Sequence, residues 1–294
     1  MISRVTNQTV MRAAQQNLQH SMSELAKLQE RSTSLKNISR PSDDPIGTVD
    51  SMQVRSEQMQ NKQHARNITD GNGWLTTIDS ALTKATALIH KVRDLTLQGA
   101  NDGSMSTEAK EAIAIELEGL RDELLNTANS RYLGRAVFAG TSDAGAAFDG
   151  ATYAHNGTPG TVERRIDANT TVRVDVDGST VFGSGATSVF GVITDIVGEL
   201  RGGTNVGPRI GDIDAHLSSL LGQHGAVGAR HAQILRAEEA NLERSGSLEA
   251  QRSGIEDVDL GEVVLKLKLQ EVTYQSALAV TARVLQPTLM DFLR

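Results

Sequence analysis

The sequence predicts a mainly α fold: a long antiparallel helical bundle or coiled-coil rod formed by the N- and C-terminal segments, with a small β-rich inserted domain. Three observations carry that reading. Apolar residues recur at steps of three, four or seven through most of the chain, the spacing that lines one helix face. Between residues 140 and 187 this period gives way to Gly, Thr, Asp and Ser, with short stretches that alternate with period two. Aromatic residues make up only 3% of the 294 positions, which suits thin packed helices better than a ring-lined pocket. The domains this implies are 1–40 with 256–294 as a terminal coiled coil, 41–139 with 188–255 as a helical rod, and 140–187 as the insert.

Each element follows from its own residues. Met11, Ala14, Leu18, Met22, Leu25, Leu28 and Leu35 form the first stripe, and Leu260, Val263, Leu267, Tyr274, Leu278, Leu285 and Leu289 form the last. Each seam covers roughly 30 residues, about 45 Å of helix. A helix with one apolar face needs a partner. The simplest partner for the first seam is the last, paired antiparallel, and neighbouring copies of the chain are the other candidates.

Two further stripes, Leu75-Ile78-Leu82-Ala85-Ile89-Val92 and Ile113-Leu117-Leu120-Leu124, are separated by QGANDGSMSTE (98–108). Gly and Asn there stop one helix, and Ser106 or Thr107 caps the next. A fourth stripe runs from Ile210 through Ile213, Leu217, Leu220, His224 and Val227 toward Leu235 and Leu242. Within the insert, TVERRI (161–166) and TVRVDVDG (171–178) read as short strands, and VFGVITDIVGELRGG (189–203) returns to helix.

Bulk composition excludes several function classes. A formal net charge of −7 gives no general affinity for nucleic acid. With no cysteine, there are no disulfides, thiolate metal sites or cysteine nucleophiles. No apolar run reaches the 18 or so residues of a membrane span, so no membrane insertion is expected. The N-terminus has Arg4 and Arg12, no acid and many Ser, Thr, Asn and Gln. It reads as an ordinary polar helix start rather than a transit peptide, which is richer in arginine.

The segment KNISRPSDDPIGT (36–48) lies between two helical stretches. Pro41 pushes Arg40 out of helical geometry. Ser42, Asp43 or Asp44 can then accept bonds from the free N–H groups of the next helix, and Pro45 suits its first turn. Arg40 paired with Asp43 or Asp44 would set the angle of this hinge. A metal or general-acid role needs further ligands, and none is nearby.

Other chemical candidates are weaker than their plain alternatives. DVDGST (175–180) begins like a calcium loop, but Ala186 stands where the twelfth-position Glu belongs, so Asp-Gly reads as a hairpin turn. His224 and His231 are seven apart, not four, and His224 falls at a seam position, as a packed or interface residue. RGGTNVGPRIGD (201–212) lacks the Lys-Ser/Thr ending of a phosphate loop and reads as a break between helices. No catalytic residue, cofactor or metal is expected.

With this layout in place, RPSDDPIG (40–47) is similar to the segment after the first helix in the flagellin superfamily. VGARHAQI (227–234) and GIEDVDLGEVVLKLKLQEVTYQSALAVTARVLQPTLMDFLR (254–294) resemble that family's C-terminal region. The likeness covers roughly 1–140 and 205–294. NSRYLGRAVFAGTSD (129–143) resembles the passage found in the hook–filament junction adaptors of the family, with Leu133-Gly134 as a departure, more than the passage of flagellins. Trp74 and the ending PTLMDFL lean the same way. The resemblance implies a non-enzymatic structural subunit, exported unfolded through the flagellar type III apparatus and secreted to the extracellular flagellum. It implies a ring of copies between a hook-side adaptor protein and flagellin, and a cytosolic export chaperone on the C-terminal helix. A flagellin filament subunit is the alternative.

Overall fold

The computed structural model describes residues 7–101, 105–158 and 160–285. The chain divides into two compact units, Met1–Met59 with Ser245–Arg294, and Gln60–Arg244. Among the described residues there are seven α-helices and two small antiparallel two-stranded sheets, so the chain is mainly helical with a minor β component, as the periodicity predicts.

The first unit contains α1 (Asn7–Ser34), the start of α2 (Pro45–Gly99), the end of α6 (Arg209–Glu256) and α7 (Leu260–Leu285). Helices α1 and α7 pack against one another. Their direction is antiparallel: Lys36 bridges Asp257 at one end, while Gln270 Nε2 donates to the Ser21 carbonyl (3.1 Å) and Oγ (3.0 Å) further along. Leu35 does not extend the first stripe. It stops α1 in the left-handed region (φ 57°) with 49% of its surface exposed, and its N–H closes the last turn on the Arg31 carbonyl.

The second unit holds the larger core. Leu75, Ile78, Leu82, Ala85, Ile89 and Val92 of α2 are all buried, as are Ile113, Leu117, Leu120 and Leu124 of α3 (Thr107–Ala128). Ser106 caps α3 by accepting from the Ala109 N–H (3.2 Å). Helix α5 (Val189–Gly202) packs on α3; Ser188 caps its start and Gly203, at φ 72°, ends it. Within this unit the buried residues of α6 are Ile213, Leu220, Val227 and Ile234, one every seven positions. The predicted continuation through Leu235 and Leu242 is therefore corrected, since these are 49% and 74% exposed. A seven-residue step keeps Ile234 on the stripe, and Leu235 lies one residue around the helix from it.

Rings gather in and beside the insert, which the low aromatic content did not foretell. Phe138, Phe148, Phe182 and Phe190 are buried together, with centroid separations of 5.3–5.8 Å, mostly edge to face. Strands β3 (Glu163–Arg165) and β4 (Thr171–Arg173) pair antiparallel, inside the two segments read as strands. The hairpin turn expected at Asp177-Gly178 is absent. Asp177 instead caps the short helix α4 (Gly178–Phe182), accepting from Ser179 N–H at 2.9 Å. The β3–β4 pairing stops at Arg173. Beyond it the buried Asp175 carboxylate accepts from the Val162 N–H (2.7 Å) and from Arg173 Nε and Nη2 (3.0 Å each).

A second hairpin, β1 (Arg131–Tyr132) and β2 (Arg135–Ala136), turns through Leu133 and Gly134. It lies against α2 at Gly73. A Cβ at residue 73 would overlap the Tyr132 ring, so glycine there serves a close approach despite its poor helix propensity.

Candidate assembly surface and joint

The site the sequence singles out lies in the first unit. Of the predicted seam, Leu18, Leu25, Leu28, Leu267 and Tyr274 are half-buried and Val263 is buried. The register set by Ser21–Gln270 and Lys36–Asp257 brings Leu28 level with Val263, Leu25 with Leu267, and Leu18 with Tyr274. Met11, Met22, Leu260 and Leu278 remain 40–60% exposed. Leu285 ends α7, but its side chain, like all of Leu289, lies outside the described residues.

Helix α7 has a second apolar face, which the seam reading omits. Val264, Leu265, Leu269, Val272 and Val280 are 46–62% exposed. The signal was present in LKLKL (265–269): leucines at 265, 267 and 269 step by two, and at roughly 100° per residue two such neighbours cannot share one helix face. A helix apolar on more than one side is built to be surrounded. The start of α2 carries a further exposed row, Ile46, Val49, Met52 and Met59. Contiguous apolar surface of this kind marks an interaction site.

The joint is built from four chain segments. Asp44 is the N-cap of α2: its Oδ1 accepts from Ile46 N–H (3.1 Å) and Gly47 N–H (3.0 Å). Asp43 acts one step earlier, its Oδ2 accepting the Arg40 N–H at 2.9 Å to close a turn. Arg40, Pro41, Ser42 and Pro45 are exposed, and the Arg40 guanidinium lies 4.0 Å from Glu30 rather than on either aspartate. The expected Arg40 ion pair with Asp43 or Asp44 is therefore replaced by a backbone contact.

Behind this turn lies a carboxylate that residue-by-residue reading missed. Glu256, at the end of α6, is buried, and its oxygens accept from Arg55 Nε (2.7 Å) and Nη2 (2.9 Å), Arg252 Nη1 (3.0 Å), Lys36 Nζ (3.3 Å) and the Ser51 hydroxyl. The Arg55 hydrogen bonds, aided by Ser51 and Lys36, hold its carboxyl well below the usual glutamate range, against the opposing effect of burial. Main-chain bonds complete the stitch. Asn37 N–H donates to the Glu256 carbonyl (2.7 Å), and Val258 N–H donates to the Leu35 carbonyl (3.2 Å). Asp259 then caps α7 through Gly261 N–H (2.8 Å). The connections α1–α2 and α6–α7 are thus fastened to each other. The acidic word IEDVD supplies Glu256, Asp257 and Asp259, each with a distinct place.

The histidines have structural partners. His224 Nε2 lies 2.9 Å from Asp79 Oδ1, and His231 Nε2 lies 2.8 Å from Asn72 Oδ1, both contacts between α6 and α2. Among the described residues no three His, Asp or Glu side chains gather in a way that could hold a metal, and no helix is long and apolar enough to cross a membrane.

The terminal helices are thus paired, fastened at a polar joint, and keep apolar side chains at their surface. Residues 5–143 match the family profile of the bacterial flagellin N-terminal helical region. Over 93% of its length, and 94% of the relative's, it is 25% identical to flagellar hook-associated protein 3 of Salmonella typhimurium. The flagellar filament 31.3 kDa core protein of Treponema maltophilum is also 25% identical, over 88% of this chain and 87% of that protein. The fold is similar to the crystal structure of the flagellar junction protein FlgL from Legionella pneumophila, with TM-score 0.58, 16% identity, 71% of this chain and 100% of that one covered.

Proposed function

We propose that this chain is a structural adaptor subunit of the bacterial flagellum, forming the junction ring between the hook-side adaptor and the flagellin filament. The observation that carries the reading is the near end-to-end similarity to a hook-associated protein, which spans both terminal helices as well as the insert. The physical design agrees. Paired terminal helices retain apolar faces on α7 and α2 that suit burial against neighbouring copies, the hook-side adaptor and flagellin. In this reading the chain does no catalysis, and it is exported unfolded through the flagellar type III apparatus. A cytosolic chaperone covers the C-terminal helix before export, an apolar helix face laid in a groove. The seam residues and the hinge at residues 40–45 are the assembly elements.

Deleting the gene tests this directly. The deletion strain should build hooks, lack filaments and release unpolymerised flagellin into the medium. Intact filaments on the deletion strain would sink the adaptor reading. Deletion that removes the bulk filament protein itself would favour the alternative, a filament subunit, which the similarity to a Treponema filament protein keeps in play.

A further inference from the structure

Leu133 is unusual for two reasons at once. It stands at the tip of the β1–β2 hairpin with 80% of its surface exposed, and its backbone is left-handed (φ 47°), followed by Gly134 at φ 84°. Two positive φ values in a two-residue loop are the geometry for which Asn-Gly is the ordinary choice. An exposed leucine alone is unremarked on protein surfaces, but a leucine held in this conformation is strained, and strain of this kind points to function. Arg131 and Arg135 flank the tip, both exposed. Arg131 donates to the Gly145 carbonyl and Arg135 stands 5.8 Å from the Trp74 ring, so neither has a carboxylate partner among the described residues.

The same unit carries a surface that fits this tip. A cavity of about 330 Å³ at α5 and α6 is lined by Ala186, Val192 and Ala215 together with the polar side chains of Thr187, Asp195, Arg209, Asp212 and His216. Arg209 lies among three carboxylates, 3.3 Å from Asp195, 2.7 Å from Glu199 and 3.6 Å from Asp212, so the local charge is negative. A tip with a cation on each side complements in charge a hollow where three carboxylates outnumber one arginine, and Val192, Ala186 and Ala215 give the leucine an apolar contact within it.

We propose that the Leu133 tip of one copy seats in the α5–α6 cavity of the next copy, with Arg131 and Arg135 meeting Asp195 and Asp212. Knob and hollow are different patches of one chain, so the contact is heterologous and runs head to tail, the form of contact that generates rings. The proposal rests on the reading of the chain as a flagellar ring subunit.

Leu133→Asn separates assembly from folding, because Asn suits both the left-handed φ and solvent. The thermal midpoint of the purified variant should hold or rise, while filament retention in a strain carrying it falls roughly tenfold, the loss expected for one interface anchor. Full retention overturns the proposal. Since the chain has no cysteine, Leu133→Cys combined with Ala215→Cys gives a second readout. Copper–phenanthroline oxidation of isolated flagella removes two protons and two electrons from each thiol pair. It should yield a ladder of disulfide-linked multimers absent from either single variant. No ladder from incorporated double variant, or Leu133→Cys captured on flagellin or the hook-side adaptor, overturns the contact between copies. If cysteine at 133 keeps the chain out of flagella, Arg135→Glu and Asp212→Arg are compared. Each alone should weaken retention and the pair should restore it; failure to restore overturns the proposal. Absence of the wild-type chain from flagella would instead overturn the adaptor reading beneath it.

Discussion

Asp44 and Glu256 are both carboxylates of the joint, yet they act through different physics. Asp44 is exposed and satisfies two free N–H groups of α2, so Asp44→Ala should cost about 1 kcal/mol in a denaturant titration. Ser42→Ala, at an exposed neighbour, should cost almost nothing. Glu256 is buried among Arg55, Arg252 and Lys36. Glu256→Gln leaves those cations without their common anion and should cost roughly 2–3 kcal/mol at neutral pH, below the range for wholly buried pairs because Arg55 is largely exposed. The folded carboxyl titrates below the unfolded one, so its contribution is complete above the ordinary glutamate pKa of about 4.3. It declines as pH falls from there toward the depressed folded value. The stability gap between wild type and Glu256→Gln, read from urea midpoints at pH 7 and pH 3, should therefore narrow in acid. A gap that widens would mean the carboxylate is not the stabilising form.

At the scale of elements, the glycines of the helices separate close packing from open surface. Gly119 in α3 has nothing within 4 Å of a built Cβ, so Gly119→Ala should stabilise by about 0.5–1 kcal/mol. Gly73→Ala gains the same propensity but drives into Tyr132, and should destabilise by about 1–3 kcal/mol. Thermal melts of the two variants should move in opposite directions. Helix α1 carries many exposed and half-buried positions, whereas residues 75–92 of α2 are anchored by eight buried apolar side chains. Amides of α1 should therefore exchange with solvent far sooner in the free monomer than those of α2. Equal protection would show that α1 is held without partners. The core stripes of α2 and α3 were legible because one buried face repeats its period locally. Glu256 was not, since its partner Arg55 lies 201 residues away and no local pattern links them. Asp177 was misread because Val172, Val174 and Val176 keep a strand-like alternation past the end of the ladder at Arg173. Asp44 as the cap was half legible: the Asp-Asp-Pro word announces a helix start, but only geometry assigns Asp43 to the turn and Asp44 to the cap.

For the whole molecule, the two units have different tasks. The Gln60–Arg244 unit carries the large buried core, while the unit of the chain ends keeps apolar residues at its surface. Leu269→Asp, on the exposed face of α7, should leave the melting of the free chain nearly unchanged and abolish filament retention in vivo. Loss of folding instead would place Leu269 in the monomer core. The mainly helical fold with a minor β component was legible from the helical period and its interruption in the Gly- and Thr-rich middle of the chain. The surplus face of α7 was obscured by the step of two between its leucines, which a single-stripe reading cannot hold. The central claim is that this chain caps a junction rather than builds a filament. Its most direct test is the number of copies per flagellum, counted by quantitative mass spectrometry on flagella sheared or regrown to different lengths with the hook end retained. A junction subunit gives a small copy number that stays constant as the filament lengthens. A copy number that grows in proportion to filament length would contradict the account.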